Sequence, residues 1–310
     1  AHLFVTAPLL FKEEAMRVII QERFYDILKD TVQRSGHEVV KDKQVADIYI
    51  GFADKNLNKT NYPNLQYIQL MSAGFDGLDI DRLKADGITV MNARGIYSEA
   101  IAEYIVGHVL NVLKNIPLYQ DRQKNKIWDK DVTIEGLKGK KVFYLGTGSI
   151  AQETLKRMSA FGTINYGFNS DGRLIDGFEK CYPLKNYKSY IKDADIIIAS
   201  LPSNDETNHL LSGEEFKLMK DNTIFINVGR GSLINERTLK DNIDHLRALI
   251  LDVFEVEPLS KDSFLWECDN VIITPHISAF DIKSDENRKQ LVENNLKLIK
   301  NGGPVINKVI

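Results

Sequence analysis

The stretch that most constrains this chain is residues 140–161. Lys141-Val142-Phe143-Tyr144-Leu145 is a short apolar run entered by lysines, the pattern of a buried strand. Gly146-Thr147-Gly148-Ser149-Ile150-Ala151 follows as a glycine turn. Ile150, Leu155, Met158 and Phe161 then recur at helical spacing, and Gly162 stands where a left-handed helix end belongs. A G-x-G-x-x-A turn between a buried strand and a helix suits a dinucleotide. Gly146 permits the tight turn, Gly148 lets a pyrophosphate approach the backbone, and Ala151 allows close packing of helix on strand. The helix N-terminus offers free N–H groups to the phosphates.

The same rhythm of strand and helix runs through the rest of the chain. Strands are expected at residues 3–7, 38–40, 46–51, 65–70 and 88–91, with a helix over about 12–34 and a short one over 80–85 that stops at Gly87. A second set follows at 141–145, 164–168, 195–200, 223–228, 248–253 and 271–274. Ser98 is expected to cap a helix over 99–114 whose apolar positions exceed one stripe, so that it packs on both domains or on a partner subunit. Asn115-Ile116-Pro117 should end it, and 119–135, charged and carrying Trp128, reads as a connecting arm. A last helix is expected over 287–300. The fold class is α/β, two Rossmann-like doubly wound parallel-sheet domains with a cleft between them. Residues 1–93 with about 281–310 form the first, and 94–280 the second, dinucleotide-binding one.

A chain of 310 residues has room for two such domains. A formal charge of −3 with mixed signs gives no nucleic-acid footprint. Cys181 and Cys268 lie far apart with no C-x-x-C, which suggests buried thiols in a reducing compartment. No stretch is long and apolar enough for a membrane span and the N-terminus has no basic leader, so a cytoplasmic protein is expected. No metal site is expected.

Hydride transfer to a ketone requires a group that holds the substrate and a group that supplies a proton. Arg230, between two glycines directly after the apolar run 223–228, has a guanidinium that can hold a carboxylate bidentately and polarise the ketone oxygen. A surface arginine is the plainer account. His276 follows Val271-Ile272-Ile273-Thr274-Pro275 at another strand end and has the pKa range for proton exchange. Any lone histidine is more often structural, and His2, His37, His108, His209 and His245 lack such a setting. Glu255 and Glu257 follow a third strand, where a carboxylate beside His276 would favour the imidazolium and orient the ring. In NAD-binding domains the second strand ends in an acidic residue. Here that place holds Asn169, with Ser170 and Arg173 after it. Asparagine does not repel a 2′-phosphate, and serine with arginine suits one, so NADP is favoured over NAD. Asp171 nearby could still serve NAD.

Together these segments resemble the D-isomer-specific 2-hydroxyacid dehydrogenase family, in particular glyoxylate/hydroxypyruvate reductases and related reductases of small 2-oxo acids. The resemblance covers about residues 71–276: Ser72-Ala73-Gly74-Phe75-Asp76, Ser98-Glu99-Ala100-Ile101-Ala102-Glu103, the glycine turn, Leu201-Pro202 with Glu206-Thr207, Asn227-Val228-Gly229-Arg230-Gly231, 252–258 and Pro275-His276. It implies that Arg230 binds substrate, that His276 is the acid/base, and that Glu257, which precedes a proline, supports it. It implies that backbone N–H groups of Ser72, Ala73 and Gly74 receive the substrate carboxylate across the interdomain cleft. It further implies NAD(P) contacts from Gly146, Thr147, Gly148, Ser149, Ile150, Asn169, Ser170, Arg173, Leu201, Pro202, Val228, Gly229 and Asp252, and a homodimer through the helix containing Ile101. Formate dehydrogenases of this family place glutamine where this chain has Glu257, which argues against that reaction. A dinucleotide-sensing binding protein of the corepressor type retains the same trio and stays open as the alternative.

Overall fold

Val18, Ile19 and Ile20 are β-branched, and the segment Arg17–Ile20 forms a strand, β1, where the sequence reading placed the start of a helix. A short apolar run is compatible with either element, and here tertiary pairing decides: β1 is flanked by two parallel neighbours, and Val18 is fully buried. The computed structural model describes residues 15–130 and 133–310, so the strand expected at 3–7 lies outside the described residues. After β1 come helix α1 (Glu22–Arg34), β2 (Glu38–Val40), β3 (Ile48–Gly51), β4 (Tyr67–Leu70), α2 (Ile80–Ala85) and β5 (Thr89–Met91). They form a five-stranded parallel sheet in the order β2-β1-β3-β4-β5.

The chain divides into two compact units, one running to Ile96 and joined by Ile282–Ile310, the other Tyr97–Asp281. In the first, the C-terminal helix Ser284–Lys300 lays Val292, Leu296 and Ile299 against Phe24, Leu28 and Val32 of α1. Buried Asn295 ties the same helix down, donating to Gln69 Oε1 at 2.6 Å and accepting from Ile306 N at 2.7 Å.

The second unit opens with α3 (Ser98–Leu113). Ser98 is its first helical residue, itself buried, and no side chain caps the helix, so the expected Ser98 cap is not formed. Asn115 then takes a left-handed conformation (φ 51°) and a second helix, α4 (Ile116–Lys124), begins, with Pro117 in its first turn. The expected connecting arm thus starts as a helix. Proline lacks only an N–H that a first turn leaves unpaired anyway, so it can start a helix as well as end one.

The second sheet comprises β6 (Lys141–Leu145), β7 (Ile164–Asn169), β8 (Lys180–Pro183), β9 (Ile196–Ala199), β10 (Ile224–Asn227), β11 (Ala248–Leu251) and β12 (Val271–Ile273), with α5 (Ser149–Ala160) after β6. The order is β12-β11-β10-β9-β6-β7-β8, all parallel. The sequence reading anticipated six of these seven strands and missed β8. Its four residues, Lys-Cys-Tyr-Pro, carry little periodic signal, and Pro183 is tolerated because β8 is an edge strand with one pairing side. Strand order reverses between β6 and β9, which puts the topological switch point beside the glycine turn.

His37 ties three elements of the first unit together. Its Nδ1 accepts from Met16 N at 3.2 Å and its Nε2 faces Leu296 O at 3.2 Å, so the ring is neutral with the proton on Nε2. Burial, with a smaller contribution from Lys300, holds its pKa below the ordinary histidine value. A depressed folded-state pKa means that the unfolded chain binds the proton more readily. The contribution of His37 is therefore present above about pH 6.5 and lost as pH falls through the lower folded-state value. We expect the urea midpoint to fall between pH 7.5 and 5.5 by more in the parent than in His37→Gln. Equal falls would show that His37 does not titrate on unfolding.

Candidate active site

Because every strand of the larger sheet runs the same way, the loops that follow them leave one edge. After β6, Gly146 turns the chain at φ 99°, with the Ser200 carbonyl and the Leu201 side chain 3.3 Å from where a Cβ would sit. Gly148 takes the cap position of α5 and no side chain caps that helix end. A Cβ on Gly148 would meet no atom within 4 Å. An open approach to an uncapped helix N-terminus is the cradle a pyrophosphate needs, so the residues fit a dinucleotide. Thr147 is buried, and its hydroxyl accepts from Asn169 Nδ2 at 3.2 Å.

Asn169, at the end of β7, is itself buried and fully engaged. Nδ2 also donates to Arg173 O at 2.9 Å, and Oδ1 accepts from Gly172 N at 2.7 Å. Its amide shapes the turn that presents Ser170 and Arg173, both exposed. The Arg173 guanidinium pairs with Asp171 at 3.0 Å, and this arginine, through its N–H first and then its side chain, holds the Asp171 carboxyl below its ordinary range.

After β9 come Leu201, buried, and Pro202, exposed. After β10, Asn227 is fully buried and folds the Arg230 loop: its Oδ1 accepts from Gly229 N at 3.0 Å and its Nδ2 donates to Arg230 O at 3.0 Å. Val228 is buried, and a Cβ on Gly229 would lie 2.6 Å from Leu201 O, so this loop packs directly on its neighbour. Arg230 is half-buried, with Nη1 donating to Gly229 O at 2.8 Å.

After β11, Asp252 has no exposed surface. Its carboxylate accepts from Thr274 Oγ1 at 2.6 Å, Ile277 N at 2.8 Å and Ser278 N at 3.0 Å. Its carbonyl accepts from His276 N at 2.9 Å. These bonds hold His276 in the left-handed region (φ 53°), which a histidine adopts only when its surroundings over-determine it. Tyr104 of α3 extends the network through Thr274 Oγ1 at 2.6 Å, and burial pushes its hydroxyl up to about 12.

The His276 Nδ1 lies 2.9 Å from Glu257 Oε2, and Glu257 Oε1 accepts from Phe254 N at 3.1 Å. A carboxylate accepts, so the proton is on Nδ1 and Nε2 is left without one in the neutral ring. A pocket of about 500 Å³ opens beside the pair, walled by Phe254, Leu259, Trp266, Ile273 and Pro275. Glu257 rather than Glu255 thus meets His276. Ser72, Ala73 and Gly74 belong to the other unit, in the turn after β4, where Ser72 Oγ donates to Gly74 O at 2.7 Å and Ala73 O accepts from Asn92 Nδ2 at 2.7 Å.

Residues 106–278 match the family model described as D-isomer specific 2-hydroxyacid dehydrogenase, NAD binding domain. The chain belongs to the D-isomer-specific 2-hydroxyacid dehydrogenase family. As a member of that family it is an enzyme, an oxidoreductase of 2-hydroxy acids that uses a nicotinamide dinucleotide. It is 30% identical over 248 residues to glyoxylate reductase of Thermofilum pendens, covering 77% of this chain and 73% of that one. It is 31% identical over 285 residues to hydroxypyruvate reductase of Thermotoga maritima, covering 89% and 84%. Its fold is similar to the crystal structure of a family protein from Aeromonas salmonicida, with a TM-score of 0.82 at 29% identity, covering 96% of this chain and 99% of that one.

Three residues that bond to these loops were not singled out from the sequence. Thr274 and Tyr104 are joined to Asp252 only in the fold. His209, set aside as lacking a suitable setting, has its Nε2 2.6 Å from Glu255 Oε1. The two are 46 positions apart, so no local pattern marks the pair.

Proposed function

We propose that the enzyme reduces small 2-oxo acids to D-2-hydroxy acids and prefers NADPH to NADH. The contact of His276 Nδ1 with Glu257, at 2.9 Å on the edge that carries the glycine turn, supports this most directly. The Arg230 guanidinium holds the substrate carboxylate and polarises the ketone oxygen. A nicotinamide dinucleotide held by the glycine turn would supply the hydride when bound. Protonated His276 gives the Nε2 proton to the oxygen that gains the electron pair, so ketone, hydride and proton balance to the hydroxy acid. The Glu257 carboxylate keeps the imidazolium oriented and compensates its charge while the proton is in place. In the reverse direction neutral His276 takes the hydroxyl proton back.

A spectrophotometric screen of glyoxylate, hydroxypyruvate, pyruvate and branched 2-oxo acids against both reduced nicotinamides tests the reading. His276→Ala should lower kcat by ~10² to 10⁴ while cofactor still binds. Arg230→Ala should chiefly raise KM for the oxo acid. A parent that binds cofactor and turns over none of the acids would instead favour the dinucleotide-sensing role.

The NADPH preference is supported by neutral Asn169 and by exposed Ser170 and Arg173 at the end of β7. Asn169→Asp should move the NADPH/NADH ratio of kcat/KM towards NADH by ~10-fold, since it sets a carboxylate against a 2′-phosphate. An unchanged ratio would remove Asn169 from cofactor choice.

We also infer a homodimer built on α3 and the segment after it. Trp128 is 93% exposed, and Ile127 and Ile134 are about half exposed, an apolar set suited to burial against a second copy. Sedimentation equilibrium should give twice the 35.2 kDa chain mass, and a single-chain mass at micromolar concentration would refute it.

A further inference from the structure

Three neighbouring loops of the larger sheet, those after β9, β10 and β11, are fastened to one another by side chains outside the catalytic trio. His209, on the first loop, donates its backbone N–H to Ser232 O on the second at 2.7 Å. Its ring Nε2 meets Glu255 Oε1 on the third at 2.6 Å. Glu236, which follows the Arg230 loop, accepts the Glu255 N–H on Oε1 at 2.7 Å. Between these fastenings the backbones touch: a Cβ on Gly231 would lie 1.9 Å from the Phe254 carbonyl carbon, so only glycine lets the Arg230 loop seat against the Glu257 loop. His209 itself sits at φ 52°, a conformation a histidine keeps only under such restraint. Glu236 is half-buried, and burial, followed by the nearby charges of Glu255 and Glu257, raises its pKa. None of this is needed to complete the two sheets, and the two side-chain fastenings, from His209 and Glu236, converge on residue 255, two positions before Glu257.

We propose that His209 and Glu236 are positioning residues: they clasp Glu255 from two sides and thereby hold Glu257, and through it His276, in register with Arg230. The proposal rests on the acid/base reading above. What it adds is that this chain's alignment of guanidinium and imidazole depends on a second pairing of histidine with carboxylate that exchanges no proton with substrate. A displacement of about 1 Å between groups that act together lowers turnover far more than it weakens binding.

The test compares the parent with Glu236→Ala, Glu236→Gln and His209→Asn. Glutamine keeps an oxygen for the Glu255 N–H, and asparagine tolerates the left-handed backbone while giving up the reach to Glu255. Amide hydrogen exchange over residues 253–258 should quicken ~10-fold in Glu236→Ala and His209→Asn and stay at the parental rate in Glu236→Gln. With the best 2-oxo acid from the screen, kcat should fall ~10-fold in the first two, with KM and cofactor affinity within about twofold of the parent, and Glu236→Gln should restore kcat. Unchanged exchange in both variants, kcat within twofold of the parent, or a glutamine variant as slow as the alanine one would overturn the proposal. If the parent reduces no oxo acid, the functional reading fails by itself, and the exchange result alone decides the clasp.

Discussion

Everything at this site follows from seven strands that all run in one direction. A parallel sheet has to be re-entered from the same end each time, so its connections cross back behind it and the loops leaving the strands share one edge. That edge receives the glycine turn, Leu201, Arg230, Glu257 and His276 although the chain separates the first from the last by 130 positions (276 − 146). The reversal of strand order between β6 and β9 then opens a crevice where a dinucleotide can lie along the edge.

Direction alone does not aim side chains. The loops are aimed by buried polar groups at the strand ends, above all Asp252 and Asn227, neither of which has exposed surface. Asn227 spends its hydrogen-bonding atoms on backbone groups of the loop it supports, and Asp252 on two backbone N–H groups and the Thr274 hydroxyl. Removing either would strand buried donors or acceptors at about 1–3 kcal/mol apiece, which is why a carboxylate and an amide persist there in an otherwise apolar core. His276 in its left-handed conformation is the visible consequence. Two N–H groups after it and one hydroxyl before it are all claimed by Asp252.

Much of the architecture was legible because it is written in local pattern. The runs that became β6, β7, β9, β10, β11 and β12 are apolar and bounded by turn residues, and the glycine turn declares its own geometry. The misreadings share one cause. Met16 to Ile20 suits a strand or a helix until pairing with β2 and β3 decides, and β8 carries almost no period. The segment 115–117 does end α3 as expected, but Pro117 also lies in the first turn of α4, a helix where a connecting arm is expected. The sequence marks Asn169 as a neutral cofactor contact in place of an acid, and does not reveal that its amide ties Thr147 to the following turn.

By itself the sequence determined the fold class, the dinucleotide turn and the short set of residue types capable of the chemistry, since each depends on spacing or on the intrinsic character of a side chain. Only the tertiary structure brought Glu257 to 2.9 Å from His276, and only it decided that Asp252 holds the histidine loop and that His209 has a carboxylate partner. Those are matters of distance between segments far apart in the chain, and such distances are set by how strands pair and loops pack, which no local pattern records.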